Sequence, residues 1–197
     1  MKNAIVLTGG KKDDMLMKTQ GKRLFMLLTE PTLAYAQGIE DYRQAFLRIN
    51  GSMDGSGSLR RCTSAEEWIE QTARGKDPAT VQPGLVPATQ YIYVRESDGQ
   101  VVGMLQIRHC FNENLRKYGG HVGYSVRPDE RRKGYATSML KAALPRCREL
   151  GLSDVLITCF ADNEGSRRTI LHNGGVYEST VHEPELDRDL ERYWIHL

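Results

Sequence analysis

The stretch GYSVRPDERRKGYATSML, residues 123–140, holds the residue types and spacing most able to do chemistry in this chain. Alternating apolar residues end at Arg127-Pro128, where proline withholds a ladder donor, and a helical period begins a few residues later. A strand that hands over to a helix in this way points the helix's first N–H groups in one direction. Those groups have no partner inside the helix and sit at the positive end of its dipole, so main chain alone can hold a cluster of phosphate oxygens. Gly134 and Ala136 are small where a ligand would approach the backbone, and Arg127, Arg131, Arg132 and Lys133 outnumber Asp129 and Glu130. Stripped of its spacing, the run reads as a strand-to-helix connection with solvated charges. The intervals between Arg131, Gly134 and Ala136 favour an anion site.

Other residues are weaker candidates. His121 lies on the strand leading into this junction and has the pKa class of a general base. Strand alternation groups it with Gly123 and Ser125, opposite Val122, Tyr124 and Val126, and a packed or surface histidine accounts for it equally well. Asn163 and Ser166 open a later helix, where asparagine is a preferred cap, and capping is compatible with contacting a ligand. Cys62, Cys110, Cys147 and Cys159 form no CxxC pair, which speaks against a zinc ribbon or a thiol redox couple, and neither Cys110 nor Cys159 carries a sequence mark of an activated thiol. The acidic residues Glu183, Glu185, Asp187, Asp189 and Glu191 read as a solvated loop sooner than as a trap for a cationic amine.

The elements that must position these residues follow from period and punctuation. LFMLLT, residues 24–29, predicts a buried strand stopped by Pro31, and Leu33, Ala36, Tyr42, Ala45, Phe46 and Ile49 recur at helical intervals after it. GSMDGSGS, residues 51–58, is too rich in glycine and serine for regular structure and predicts a loop over a site. Thr63 or Ser64 with Glu66 and Glu67 marks the start of a short helix that packs by Trp68. YIYVRESDGQVVGMLQIRH, residues 91–109, predicts a hairpin turning at Ser97-Asp98-Gly99, and residues 120–126 a further strand. A helix follows over residues 132–150, with Pro145 predicting a kink or break near residues 141–144. Residues 154–159 predict a buried strand, 163–173 a helix, and 177–181 and 192–197 two closing strands. The order implies a mixed α/β sheet without internal repeats.

With 197 residues the chain suits one core. A net charge of +2 is too small to imply a nucleic-acid partner, and no apolar run reaches the roughly 18 to 20 residues a membrane helix needs. A reduced, cytoplasmic protein fits. Residues 1–22, with GGKKDD ahead of MLMKTQGK, read as a tag or extension, leaving residues 23–197 as the folded domain.

Arg131-x-x-Gly134-x-Ala136 matches the Q/R-x-x-G-x-G/A signature of the GNAT superfamily of N-acetyltransferases, and SVRP resembles the strand end that precedes it there. GGHVGYSVRPDERRKGYATSMLKAAL, VLITCFADNEGSRRTI, NGGVYE and the final ERYWIHL resemble its predicted-acetyltransferase branch, so the similarity covers residues 24–197, most weakly before residue 90. The resemblance implies an α+β fold: a mixed, mostly antiparallel central sheet with a splayed pair of parallel strands and helices on both faces. It implies acetyl-CoA as co-substrate, no metal, and transfer of acetyl to the primary amine of a small molecule or peptide by direct attack, with room for a homodimer. By the same resemblance, Arg131, Arg132, Lys133, Gly134, Tyr135 and Ala136 would hold the CoA pyrophosphate, Val126 would bond the pantetheine arm, and Asn163 and Ser166 would contact it. His121 stands where many relatives carry glutamate and would be the base. The usual acid, a tyrosine seven residues after the asparagine, is replaced by Ile170, which leaves Tyr124, Tyr177, Tyr193 or water for that task and raises a catalytically silent acyl-CoA sensor as the competing function.

Overall fold

The computed structural model describes residues 14–19 and 22–197. Five strands, β1 (Asp14–Thr19), β2 (Lys22–Thr29), β3 (Ala88–Arg95), β4 (Gln100–Arg108) and β5 (Val122–Val126), form one antiparallel sheet in chain order. A second antiparallel sheet is ordered β6 (Asp154–Phe160), β8 (Arg188–His196), β7 (Val176–Glu183). Strand β1 falls within the stretch read as an extension: it pairs with β2 from Asp14 opposite Leu27 to Thr19 opposite Lys22, so part of that stretch belongs to the sheet. Residues 1–13 lie outside the described residues.

Helices cover both faces. Helices α1 (Ala36–Leu47) and α2 (Ala65–Gly75) present Ile39, Tyr42, Phe46 and Trp68 to Ile92, Val94, Val101 and Met104 on one face. The Ser64 hydroxyl accepts the Glu67 N–H at 3.2 Å, while the Glu67 carboxylate returns to the Thr63 N–H at 2.7 Å, which fixes Ser64 as the cap. On the other face α3 (Tyr135–Glu149) buries Tyr135, Met139, Leu140, Ala143 and Cys147 against Tyr91, Tyr93, Val102, Leu105 and Ile107. Helix α4 (Glu164–His172) joins this side through Ile170.

Helix α3 runs through Pro145, against the expected break. Pro145 is exposed, as is Lys141, the residue whose carbonyl loses its bond, so water can satisfy that carbonyl. The closing strands are longer than alternation suggested: β7 and β8 form a hairpin with a register slip between Tyr177 and Ser179, and most of the acidic run lies in this hairpin. There Glu191 pairs with Arg167, Asp189 meets His182 at 3.0 Å, and Glu183 is buried. No described helix is long and apolar enough to cross a membrane.

Candidate active site at the gap between two sheets

Strands β5 and β6 touch at one point and then separate into different sheets. The contact is the His121 N–H to the Leu156 carbonyl, 2.7 Å, just before β5 begins. Register decides what the strands offer beyond it. Arg108 N–H donates to the His121 carbonyl and Arg127 N–H to the Val102 carbonyl, so odd-numbered residues carry the ladder to β4. Antiparallel alternation then turns the N–H and C=O of Val122, Tyr124 and Val126 away from β4. The same parity on β6, set by the Ala161 bond to Asp189 and the Leu197 bond to Ser153, turns Thr158 toward β5. Among the described residues the N–H groups of Tyr124, Val126 and Thr158 have no partner, and the Val126 carbonyl accepts only the Arg131 Nε, at 3.2 Å.

At its far end β5 leads into the junction. Pro128–Glu130 makes one 3-10 turn, Arg132 takes a φ of 62° and Gly134 a φ of 83°, and α3 starts at Tyr135 without a side-chain cap. Left-handed residues this close together curl successive N–H groups into a concavity suited to an anion. The N–H groups of residues 132–137 make no hydrogen bond among the described residues, and residues 131–134 are exposed. The bare amides expected from the sequence are present.

The cations around them are mostly committed. Arg127 bonds Asp129 at 2.8 Å, Lys133 bonds Glu130 at 2.8 Å, and Arg131 lies 5.6 Å over the Phe46 ring while bonding Val126. Tyr135 is buried, its hydroxyl 3.0 Å from Arg95, so it offers the site its N–H alone. Ala136 is half-buried one residue on. The site is therefore built from backbone, with Arg131 and Arg132 the members of the quartet lacking an ion pair among the described residues.

Across the gap, Asn163 caps α4 by accepting the Ser166 N–H at 3.1 Å, and the Ser166 hydroxyl meets the Tyr124 hydroxyl at 2.8 Å. Tyr124 thus reaches from one sheet to the helix that follows the other. Burial pushes its phenol above the ordinary value, opposed by the Ser166 bond, so the group stays protonated. Tyr193 is buried with its hydroxyl on Glu191, and Tyr177 is exposed on β7 with its hydroxyl on Thr180, so of the three tyrosines only Tyr124 lines the gap. Ile170 is fully buried in the core. Cys159 is buried and its thiol is pushed up to about 11 by desolvation and by Glu191, the reverse of activation.

His121 does not fit the role of base. Its Nδ1 accepts the Leu156 N–H at 3.0 Å, which places the ring proton of the neutral form on Nε2 and leaves no lone pair for a substrate proton. The ring lies 3.9 Å from that of Phe111, and burial, aided by Arg108 and Arg116, lowers its pKa to about 4. It clasps the two sheets at the vertex of the gap.

The glycine-rich loop packs directly on β5. A methyl on Gly55, whose φ is 73°, would lie 2.1 Å from the Gly123 carbonyl oxygen. The Ser125 hydroxyl donates to the Asp54 carbonyl at 2.6 Å, Gln90 to the Gly55 carbonyl at 2.7 Å, and Trp68 to the Ser56 carbonyl at 2.8 Å. The loop lies against β5 and is held by three separate elements, β5, β3 and α2. Reading the segment as unstructured missed Gly55, although a glycine inside a strand, Gly123, already signals close backbone approach. Arg108 was also missed. Its Nη1 donates to the carbonyls of Gly119 at 2.8 Å and Gly120 at 3.1 Å, beside the vertex.

No protein of curated function matches the sequence. Among solved structures, Mycobacterium smegmatis RimJ in complex with CoA-disulfide is similar with a TM-score of 0.65 at 17% identity, over 93% of this chain and 86% of that one. A ribosomal-protein-S5-alanine acetyltransferase from Vibrio fischeri gives 0.64 at 14%, over 93% and 97%. The dodecameric spermidine N-acetyltransferase of Vibrio cholerae gives 0.60 at 14%, over 87% and 93%. These likenesses show the fold. The profile of the acetyltransferase (GNAT) family matches residues 60–174, which contain the gap, the bare amides and α4, and the chain belongs to that family.

Proposed function

We propose that the protein transfers acetyl from acetyl-CoA to a primary amine of a small molecule or peptide by direct attack. One observation carries this reading: unpartnered N–H groups run from Tyr124 and Val126 round to the start of α3, a continuous track for an amide-bearing arm that ends in a diphosphate. The amides of residues 132–137 would hold the pyrophosphate, Val126 would bond the arm as an added strand partner, and Asn163 and Ser166 would border it.

Acetyl-CoA supplies the activated acyl group. What the chain contributes is orientation and one proton. Holding both reactants in a narrow gap removes much of the entropic barrier. Tyr124, steadied by Ser166, is placed to protonate the departing sulfur in the role that Ile170 cannot fill. The amine's own proton would leave through water, because His121 has no lone pair to offer.

A silent acyl-CoA-binding module is the second reading, favoured by the burial of Ile170. Thermal unfolding with and without acetyl-CoA, followed by a thiol-release screen over an amine panel, separates the two. A rise in Tm with turnover of at least one amine is expected. No response to any acyl-CoA would end the proposal, and binding with no turnover across the panel would favour the silent module.

A further inference from the structure

The two faces of the gap's vertex differ in charge. On the face of the glycine-rich loop, the guanidinium of Arg108 lies over Gly123, where a methyl built on that glycine would come 3.4 Å from Nη2. Its protein partners are two neutral carbonyls, those of Gly119 and Gly120. No carboxylate lies within ion-pair distance of it among the described residues. Asp54 is close enough to be felt, yet stays exposed and bonds the Ser52 hydroxyl at 2.7 Å. Burial lowers the Arg108 pKa, showing that the protein has not compensated the charge.

We propose that Arg108 receives a carboxylate carried by the amine acceptor, so that the substrate is an amino acid or a similar small amine with an acidic group. The inference rests on the acetyltransferase reading and names its acceptor class. Arginine suits the task because its planar fork bonds a carboxylate in two places, and Nε and Nη2 remain uncommitted here. Such a partner recovers the cost of burying the cation. The side chain is only half-buried, so an incoming group reaches it without disruption of the sheet.

Position and field agree. An arm bonded along Val126 and Tyr124 points its end toward the vertex, and the Arg108 guanidinium reaches Gly123, the neighbour of Tyr124, on the opposite face of β5 from Ser166. Beside burial, Arg108 and Arg116 depress the His121 pKa against Asp154, so the field at this ring is positive. Nearby Arg192 is neutralised by Glu178 at 2.5 Å, and Lys117 feels Glu183. A positive vertex attracts an acid and repels a polyamine.

The test uses the whole chain and matched acceptors: glycine, methionine and phenylalanine, each against its α-carboxamide, with spermidine as the cationic control. Thiol release from acetyl-CoA should give the acids at least roughly tenfold higher kcat/KM than the amides. Arg108→Gln should erase that preference with its thermal response to acetyl-CoA unchanged, and Arg108→Lys should keep part of it. A second arm needs no turnover: N-acetylmethionine should raise the Tm of the wild type, its carboxamide should not, and Arg108→Gln should respond to neither. Equal turnover of acids and amides, preferred turnover of spermidine, or a preference that survives in Arg108→Gln would overturn the proposal. A wild type that binds acetyl-CoA but acetylates none of the acids, or that responds equally to the N-acetyl acid and its carboxamide, would also overturn it. Failure to bind acetyl-CoA at all would instead strike the acetyltransferase reading, while the N-acetylmethionine arm still reports on Arg108.

Discussion

The two ends of β5 are built from different materials. At the α3 end the site is backbone: two left-handed residues and a run of exposed, unpartnered N–H groups, with most nearby cations turned to carboxylates or rings. At the vertex it is side chain: His121 clasping β6, Arg108 over Gly123, and Tyr124 reaching to Ser166. A backbone site can serve any molecule that carries the same diphosphate, whereas a side-chain site changes with each substitution. On the proposed function, the common donor would bind at one end and the particular acceptor at the other.

Four substitutions sharpen or break this contrast. Gly134→Glu should have the largest effect, because it puts a carboxylate and a left-handed strain where the anion approaches; acetyl-CoA affinity measured by calorimetry should fall at least about a hundredfold in a folded protein. Unchanged affinity would place the donor elsewhere. Tyr124→Phe acts at the other end and should lower kcat roughly a hundredfold with the dissociation constant for acetyl-CoA nearly unchanged. An unaltered kcat would return the proton to water.

Gly55→Ala tests the wall between the two ends. Its methyl would meet the Gly123 carbonyl, the Gly123 carbonyl carbon and the Tyr124 Cα at 2.1, 2.4 and 2.6 Å, all backbone, so denaturant unfolding should show a loss of at least about 2 kcal/mol. The smallest effect concerns His121. Its pKa is about 4 in the fold against an ordinary 6.5, so between these values the unfolded chain binds more protons and stability falls as pH is lowered through that window. Tm measured against pH should show this slope, and His121→Gln, whose amide oxygen can still accept the Leu156 N–H, should remove it. The same variant should change kcat/KM at neutral pH by less than about threefold, against the roughly 10² to 10⁴ expected for a lost base.

How much of this was legible in the sequence follows the same division. A backbone site depends on where a strand stops and a helix starts, which Pro128, Gly134 and the 3.6 period declare within one short stretch. Val126, Asn163 and Ser166 lie beside the gap for equally local reasons, register and capping. The vertex is assembled from Arg108, Gly123, Leu156 and a loop at residue 55, which meet only once the sheets exist. His121 shows the limit most clearly: its residue type suggested a base, but its role depends on an N–H that β6 brings from 35 residues away. Pro145 failed as a break because the helix face it occupies, which no single residue type reveals, turned out to be the solvent face.

The docking of Gly55 on Gly123 has a consequence for divergence. Because main chain meets main chain there, the loop's seat does not depend on the side chains of its exposed neighbours Ser52 and Asp54. Those two positions can drift while the wall stays where it is, whereas Gly57, with a φ of 55°, is held to glycine. On the proposed function, new acceptor preferences could thus be sampled by descendants of this chain without disturbing the backbone end of β5.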